Sequence, residues 1–286
     1  MNARTNRLLA RFKALADPVR ARLVVLCGAA ECSVSELTEV TGLSQPRVSQ
    51  HLKQLIAAGL LERFRDGHYV YYRVPAAEGS AGEIRRLLAL LPTEEPEFRR
   101  DVDKLRELRS AGDLEATGNA DDDRFLHRAL VELTMSSPIG DLLDIGCGQG
   151  RLLKLLASRA HRVVGVDVDP QARRMARAEL LLAGLPNCTL RQGDMYALPF
   201  DDANFDTIIL DDVLVDAERP ASAVGEAKRL LKDGGRILFL ASVDDGGADQ
   251  LKNDYASWAA NTGLRLAPPR SIPEAGPGWL LGVATA

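Results

Sequence analysis

Asp141-Leu142-Leu143-Asp144-Ile145-Gly146-Cys147-Gly148-Gln149-Gly150-Arg151 sets an apolar run ending in an acid ahead of three glycines at every second position. Leu152, Leu153, Leu155 and Leu156 follow at helical spacing, so the stretch reads as strand, tight loop, helix. Glycines suit such a loop because its backbone must approach a ligand closely in conformations other residues avoid, and the next helix offers unpaired amides. A nucleotide-like ligand is expected there. A second apolar strand, Arg162-Val163-Val164-Gly165-Val166, ends in Asp167, 23 positions after Asp144. An acid so placed suits a ribose diol.

A dinucleotide site would space its glycines GxGxxG and put an apolar residue at position 144, because a carboxylate beside a pyrophosphate repels it. Facing a cationic amino-acid headgroup or a sulfonium, the same carboxylate is favourable. From Asp141 to the C-terminus the chain resembles the class I S-adenosylmethionine-dependent methyltransferases, on the Asp-x-Gly-x-Gly-x-Gly loop and the spaced second acid. The resemblance implies S-adenosylmethionine as cofactor, bound by Asp144, Gly146, Gly148, Gly150, Asp167 and Val168. It also implies that Asp194 receives the adenine amine, with the backbone amide of Met195 on the ring, and that Asp211 borders the same site. A neutral adenine offers a donor at that edge, so an acceptor carboxylate matches it.

Strands and helices alternate through this region. Pro170–Ala183 reads as a helix ended by Gly184, followed by strands near Thr189–Arg191 and at Phe205–Leu210, a helix at Ala221–Leu231 and a strand at Arg236–Ala241. Such alternation means an α/β doubly wound, Rossmann-like sheet with its ligand at the carboxyl ends of the strands. Segments near Leu264–Leu266 and Trp279–Val283 would supply the family's closing hairpin. The acceptor is weakly marked: Asp211-Asp212 follows the fourth strand where enzymes methylating amino groups on bases carry Asn/Asp-Pro-Pro-Tyr. No residue is assigned as catalytic, and a small molecule is the expected methyl acceptor.

The first 75 residues have a different character. They carry eleven Lys and Arg against six acids, whereas the 286-residue chain has a net charge of −4. A basic first part and an acidic second part suggest that only the first meets a polyanion. Ser33–Thr38, Gly42 and the segment from Ser44 onward follow one another in helix-turn-helix order. Val48, Leu52, Leu55 and Ile56 form one face of the second helix, and no acid occurs from Ser44 to Leu61. Gln45, Arg47, Ser49, Gln50, His51 and Lys53 are the expected DNA-binding side chains of this recognition helix. Leu60–Val74 then holds two β-rich runs around Asp66-Gly67, the signature of a hairpin, with Arg63, Arg65 and His68 as expected phosphate contacts.

A helix-turn-helix followed by a basic hairpin is a winged helix, an α+β domain, and Leu8–Val74 resembles the ArsR/SmtB family of bacterial transcriptional repressors. The residues that carry the resemblance are Ala16-Asp17-Pro18-Val19-Arg20, Leu43-Ser44-Gln45-Pro46-Arg47-Val48-Ser49-Gln50-His51-Leu52 and Ala58-Gly59-Leu60-Leu61. It implies double-stranded operator DNA as partner and a homodimer. Ile84, Leu87, Leu88 and Leu91 stand at dimer-seam spacing on a last helix over Glu83–Leu91. Metal-sensing relatives have Cys-x-Cys where Ser33-Val34-Ser35 stands, and hydroxyls do not replace thiolates toward soft metals, so no metal site is expected. Cys27, Cys32, Cys147 and Cys188 fall without paired spacing, as reduced thiols do.

The expected domains are therefore 1–92, the winged helix; 93–123, a helical linker and lid; and 124–286, the methyltransferase-like domain. Any coupling is expected to run through the helix over Phe98–Ser110. No apolar run reaches the ~18 residues of a membrane span, and the N-terminus leads into an amphipathic helix rather than a signal core, which fits a cytoplasmic protein. Three functions follow from the pair of domains. One is a DNA-binding regulator that also methylates a small molecule; another is a regulator that senses S-adenosylmethionine or S-adenosylhomocysteine without turnover. The third is a small-molecule methyltransferase that uses its winged helix only to dimerise.

Overall fold

The computed structural model describes residues 3–66, 69–75, 80–110, 122–243, 247–273 and 278–286. The chain divides into two compact units, Met1–Leu114 with Arg177–Pro186, and Glu115–Ala176 with Asn187–Ala286.

In the first unit, α1 (Ala3–Leu15) and α2 (Pro18–Ala29) are separated by Asp17, whose side chain accepts from the Arg20 amide and caps α2. Pro18 opens α2, where a missing N–H costs nothing. A short strand β1 (Cys32–Ser33) leads to α3 (Val34–Thr41), which starts in a reciprocal capping box between Ser33 and Glu36. Gly42 ends α3 in the left-handed conformation, and α4 (Gln45–Ala57) follows with Ser44 at its N-cap position, without a side-chain cap bond. The strands β2 (Glu62–Asp66) and β3 (Tyr69–Arg73) pair antiparallel, and β1 adds to β3. Then come α5 (Ser80–Leu88) and α6 (Pro96–Ser110). Leu23, Val24, Leu26, Leu37, Val48, Leu52, Leu55, Leu60 and Ile84 make a single core with Leu105 and Leu181.

One feature differs from the sequence reading. The α6 helix, read as linker, belongs to this core: Val102, Leu105 and Leu108 pack into it, and Arg22 holds the buried Asp101 through two bonds of 2.6 and 2.8 Å. On α5, Ile84 and Leu87 are buried, with Ile84 in this core, and Leu88 and Leu91 stay half buried. On α1, Leu8, Leu9 and Phe12 are large apolar side chains left exposed.

The second unit begins with α7 (Asp122–Ser136) and contains an eight-stranded sheet. Its strands are β4 (Asp141–Ile145), β5 (Arg162–Asp167), β6 (Cys188–Gln192), β7 (Phe205–Asp211), β8 (Leu231–Val243), β9 (Arg265–Leu266), β10 (Arg270–Ile272) and β11 (Gly278–Thr285). The order is β10-β11-β8-β7-β4-β5-β6, with β9 also on β11; the five strands from β8 to β6 run parallel and β11 returns antiparallel. The helices are α8 (Arg151–Leu156), α9 (Pro170–Leu182), α10 (Pro220–Leu230) and α11 (Ala248–Thr262). Buried Leu143, Ile145, Val164, Val166, Ile208 and Leu210 explain the near-continuous apolar runs of the central strands. Strand order reverses between β4 and β7, so the crevice at their carboxyl ends is where the fold places a ligand. All four cysteines are free and buried, and among the described residues no helix is long and apolar enough to cross a membrane.

The Arg22–Asp101 pair fixes α6 against α2. Replacing Arg22 by Ala leaves a buried carboxylate without its cation, and unfolding measured by circular dichroism should show a loss of about 3 kcal/mol, the low end for a broken buried pair because Arg22 keeps some solvent. An unchanged midpoint would show that α6 is not part of this core.

Candidate cofactor site and candidate nucleic-acid interface

At the strand-order reversal three carboxylates meet the glycine loop. Asp144 is the penultimate residue of β4 and is fully buried, with an oxygen, Oδ1, that has no hydrogen-bond partner among the described residues. Burial, and then the charge of Asp211, push its carboxyl well above the usual carboxylate range; Arg151 pulls the other way. Gly146 turns the chain with φ +76, and a Cβ there would stand 2.0 Å from Val213. Gly148, φ +49, has open space where a side chain would project, as a loop that approaches a ligand requires.

Asp167 ends β5, accepting from the Gly148 amide (2.8 Å) and the Asp169 amide (2.8 Å). These two bonds tie the second acid to the glycine loop and leave the carboxylate lone pairs for a diol. Val168 is exposed beside it at 64%. Further along, Asp194 is exposed and accepts from the Tyr196 amide (3.0 Å), and Met195 is half buried against the core. Asp211, at the end of β7, binds Arg151 (2.9 Å), whose guanidinium lies 4.3 Å over the ring of Trp279 at the start of β11. Asp212 takes left-handed backbone angles and accepts from the Ser242 amide (2.7 Å) and hydroxyl (3.0 Å).

These residues fit a nucleoside with a cationic head. The orphaned Asp144 oxygen calls for a donor or a cation, Gly148 leaves room for one, and Asp167 is set for a ribose. Sequence reasoning missed Arg151 and Trp279; the arginine directly after the third glycine was the only available hint, and nothing local marks Trp279. The acid-rich segment expected to form a lid lies largely outside the described residues, as does His68.

On the first unit, Gln45, Arg47, Gln50 and Lys53 are exposed along α4, and Ser49 is half buried. Arg63 and Arg65 are exposed on β2, alternating with Glu62, Phe64 and the buried Asp66. His51 sits apart from this row, with its Nδ1 buried 3.9 Å from Asp17 Oδ1. Gln54 is engaged by Arg20 (2.8 Å). The row from Gln45 to Lys53 is thus an unobstructed polar face, the arrangement a recognition helix presents to base edges.

A family model described as "Bacterial regulatory protein, arsR family" matches residues 17–63, and one described as "Methyltransferase domain" matches residues 143–239. The first segment is similar to the arsenic resistance transcriptional regulator ArsR1 of Pseudomonas putida, 50% identical over 64 residues, which are 22% of this chain and 50% of that protein. The second is similar to the ubiquinone biosynthesis O-methyltransferase of Paracidovorax citrulli, 34% identical over 99 residues, 34% of this chain and 42% of that one. The chain spans between 30% and 50% of the length of such curated relatives. A Methanococcus maripaludis structure assigned to the S-adenosyl-L-methionine-dependent methyltransferases shares the fold, with a TM-score of 0.50 and 16% identity, over 65% of this chain and 92% of that one.

Asp144 carries a pH signature. Its folded-state pKa is raised, so without ligand it favours folding only below the unfolded pKa of about 3.9 and costs stability as pH rises through the raised value. Asp144→Asn should therefore raise the thermal midpoint of the ligand-free protein near neutral pH, by at least ~2 °C, and the gain should vanish toward about pH 4. A midpoint that falls at neutral pH would mean that the carboxylate is already satisfied.

Proposed function

We propose, from the premise that this chain joins an ArsR-type winged helix to a methyltransferase domain of Rossmann-like fold, that it is a dimeric, cytoplasmic regulator of operator DNA that binds S-adenosylmethionine. The observation that carries this reading is the buried Asp144 carboxylate, unpartnered at the mouth of the glycine loop, on a chain whose other unit exposes an acid-free recognition helix. When bound, S-adenosylmethionine supplies an electrophilic methyl group on a sulfonium. Asp144 offers the negative charge that the cationic amino-acid end lacks in an apolar setting. Asp167 accepts from the ribose hydroxyls, Val168 lies along the nucleoside, and Asp194 with the Met195 amide takes the adenine edge. Arg47, Gln50 and their neighbours read bases, while Arg63 and Arg65 hold phosphates. Exposed Leu8, Leu9 and Phe12 supply an apolar face for a second copy.

Sensing is favoured over turnover by the state of the carboxylates after β7. Asp211 binds Arg151 through Oδ2 and Asp212 accepts from Ser242 through Oδ1, so one oxygen of each acid is engaged before any acceptor arrives. Methyl transfer to a small molecule is the second reading, because alignment and exclusion of water can suffice without a strong base.

Three measurements test this. Alanine at Arg47 and at Gln50 should each cost about 1–3 kcal/mol of operator affinity and relax sequence preference, whereas alanine at Arg63 and Arg65 should weaken binding to all sequences alike. Asp167→Ala should weaken S-adenosylmethionine binding in calorimetry by about 1.5–3 kcal/mol, the worth of charged-group hydrogen bonds; tighter binding of NAD than of S-adenosylmethionine would refute the argument from Asp144. Titrating operator DNA with and without S-adenosylmethionine, alongside a screen for methyl transfer to cell extract, separates the readings. A shifted affinity without methylated product supports the sensor, and rapid turnover with unshifted affinity supports the enzyme.

A further inference from the structure

Arg177 is an arginine of the methyltransferase sequence that is buried, 5% exposed, in the core of the first unit. Its guanidinium binds Asp66 at 2.6 Å and Glu31 at 3.1 Å and lies 4.1 Å over the ring of Tyr71. Asp66 is the last residue of β2 and Tyr71 is on β3, so these contacts clasp both strands of the hairpin whose outward residues are Arg63 and Arg65. The cluster is closed by two more arginines. Arg73 of β3 binds Glu31 (3.1 Å) and Glu62 (2.6 Å), and Arg109 of α6 donates to Glu36 (2.7 Å), to the Glu31 carbonyl (2.7 Å) and to the carbonyl of Arg177 itself (3.0 Å). Buried ion networks of this kind hold discrete arrangements, because a half-made one leaves charges without partners.

The helix that carries Arg177 begins at the other functional feature of the chain. Asp169 caps α9 by accepting from the Gln171 and Ala172 amides (2.8 and 3.2 Å), its own amide is bound by Asp167, and Arg173 donates to the Asp167 carbonyl at 2.8 Å. Within α9, Arg177 lies roughly two turns beyond Pro170, the first residue of the helix. One continuous helix thus joins that first turn to Arg177.

We propose that Arg177 is a positioning residue for the DNA-contacting hairpin, and that α9 makes the setting of that hairpin depend on whether the nucleoside site at its first turn is filled. The inference rests on the reading of the two sites given above and names the route of regulation between them. It revises the expectation that coupling runs through the helix over Phe98–Ser110, which here supplies Arg109 as a brace.

The experiment uses the full chain and a double-stranded DNA selected by it from a random pool. DNA affinity is measured by anisotropy with and without saturating S-adenosylhomocysteine, and S-adenosylhomocysteine affinity by calorimetry with and without that DNA. In the wild type the two ratios should be equal, by linkage, and about 5–150-fold. The variant Arg177→Met with Asp66→Asn removes the clasp and leaves Glu31 with Arg73; its ratio should fall to about 1–2 while ligand affinity in the absence of DNA stays within about twofold of wild type. Arg177→Lys, which keeps the charge and loses the fork, should retain part of the ratio. Circular dichroism confirms that each variant is folded. A wild-type ratio in the folded double variant overturns the proposal, as does a ratio of one in the wild type with both bindings intact. Absence of either binding in the wild type brings down the underlying reading, and this inference with it.

Discussion

A buried carboxyl near the end of a parallel strand, one of whose oxygens meets no partner among the described residues, is the constraint that orders the second unit. Asp144 is held there because β4 lies between β5 and β7, buried on both faces, and because the turn through Gly146 allows no side chain. A sheet of apolar strands has no use for that charge. Its neighbours temper the cost only in part: Arg151 lies within electrostatic reach but is bound to Asp211. The fold keeps this carboxyl buried with its pKa pushed well above the usual carboxylate range.

The first unit solves the opposite problem. Its helix α4 exposes Gln45, Arg47, Gln50 and Lys53, and the hairpin alternates outward arginines with inward Phe64 and Asp66. Beside its apolar core the unit buries the charges of Glu31, Asp66 and Arg177, and it satisfies them by a network. Arg177, Arg109 and Arg73 are each planar forks, and each meets a carboxylate, a carbonyl or an aromatic face.

The glycine loop, the second acid and the hairpin were legible in the sequence because each is a local pattern: spacing, period or turn chemistry fixes them within a few tens of residues. The two folds followed from them. Less was legible where chemistry depends on residues far apart. Nothing near Arg177 announces that its acids stand at positions 31 and 66, and nothing near Trp279 announces a guanidinium from position 151. The placement of α6 was hidden for a related reason. Its charged sequence looks like a linker, and only Asp101 meeting Arg22 shows that one of those charges is a buried anchor. His51 shows the limit of reading a helix face by residue type, since a polar side chain at a plausible position turns toward Asp17.

The clasp at Arg177 also bears on how such a chain can change over generations. Two-domain proteins are commonly regarded as modules that recombination can exchange, each folding with its own residues. Here the hairpin-bearing unit contains a stretch, Arg177–Pro186, that is encoded inside the other module. A crossover in the intervening segment would hand the first module on with Asp66 parted from Arg177 and Glu31 left to Arg73, and the second with an arginine that has lost its acids. Once the clasp had formed, the partners could be inherited only together.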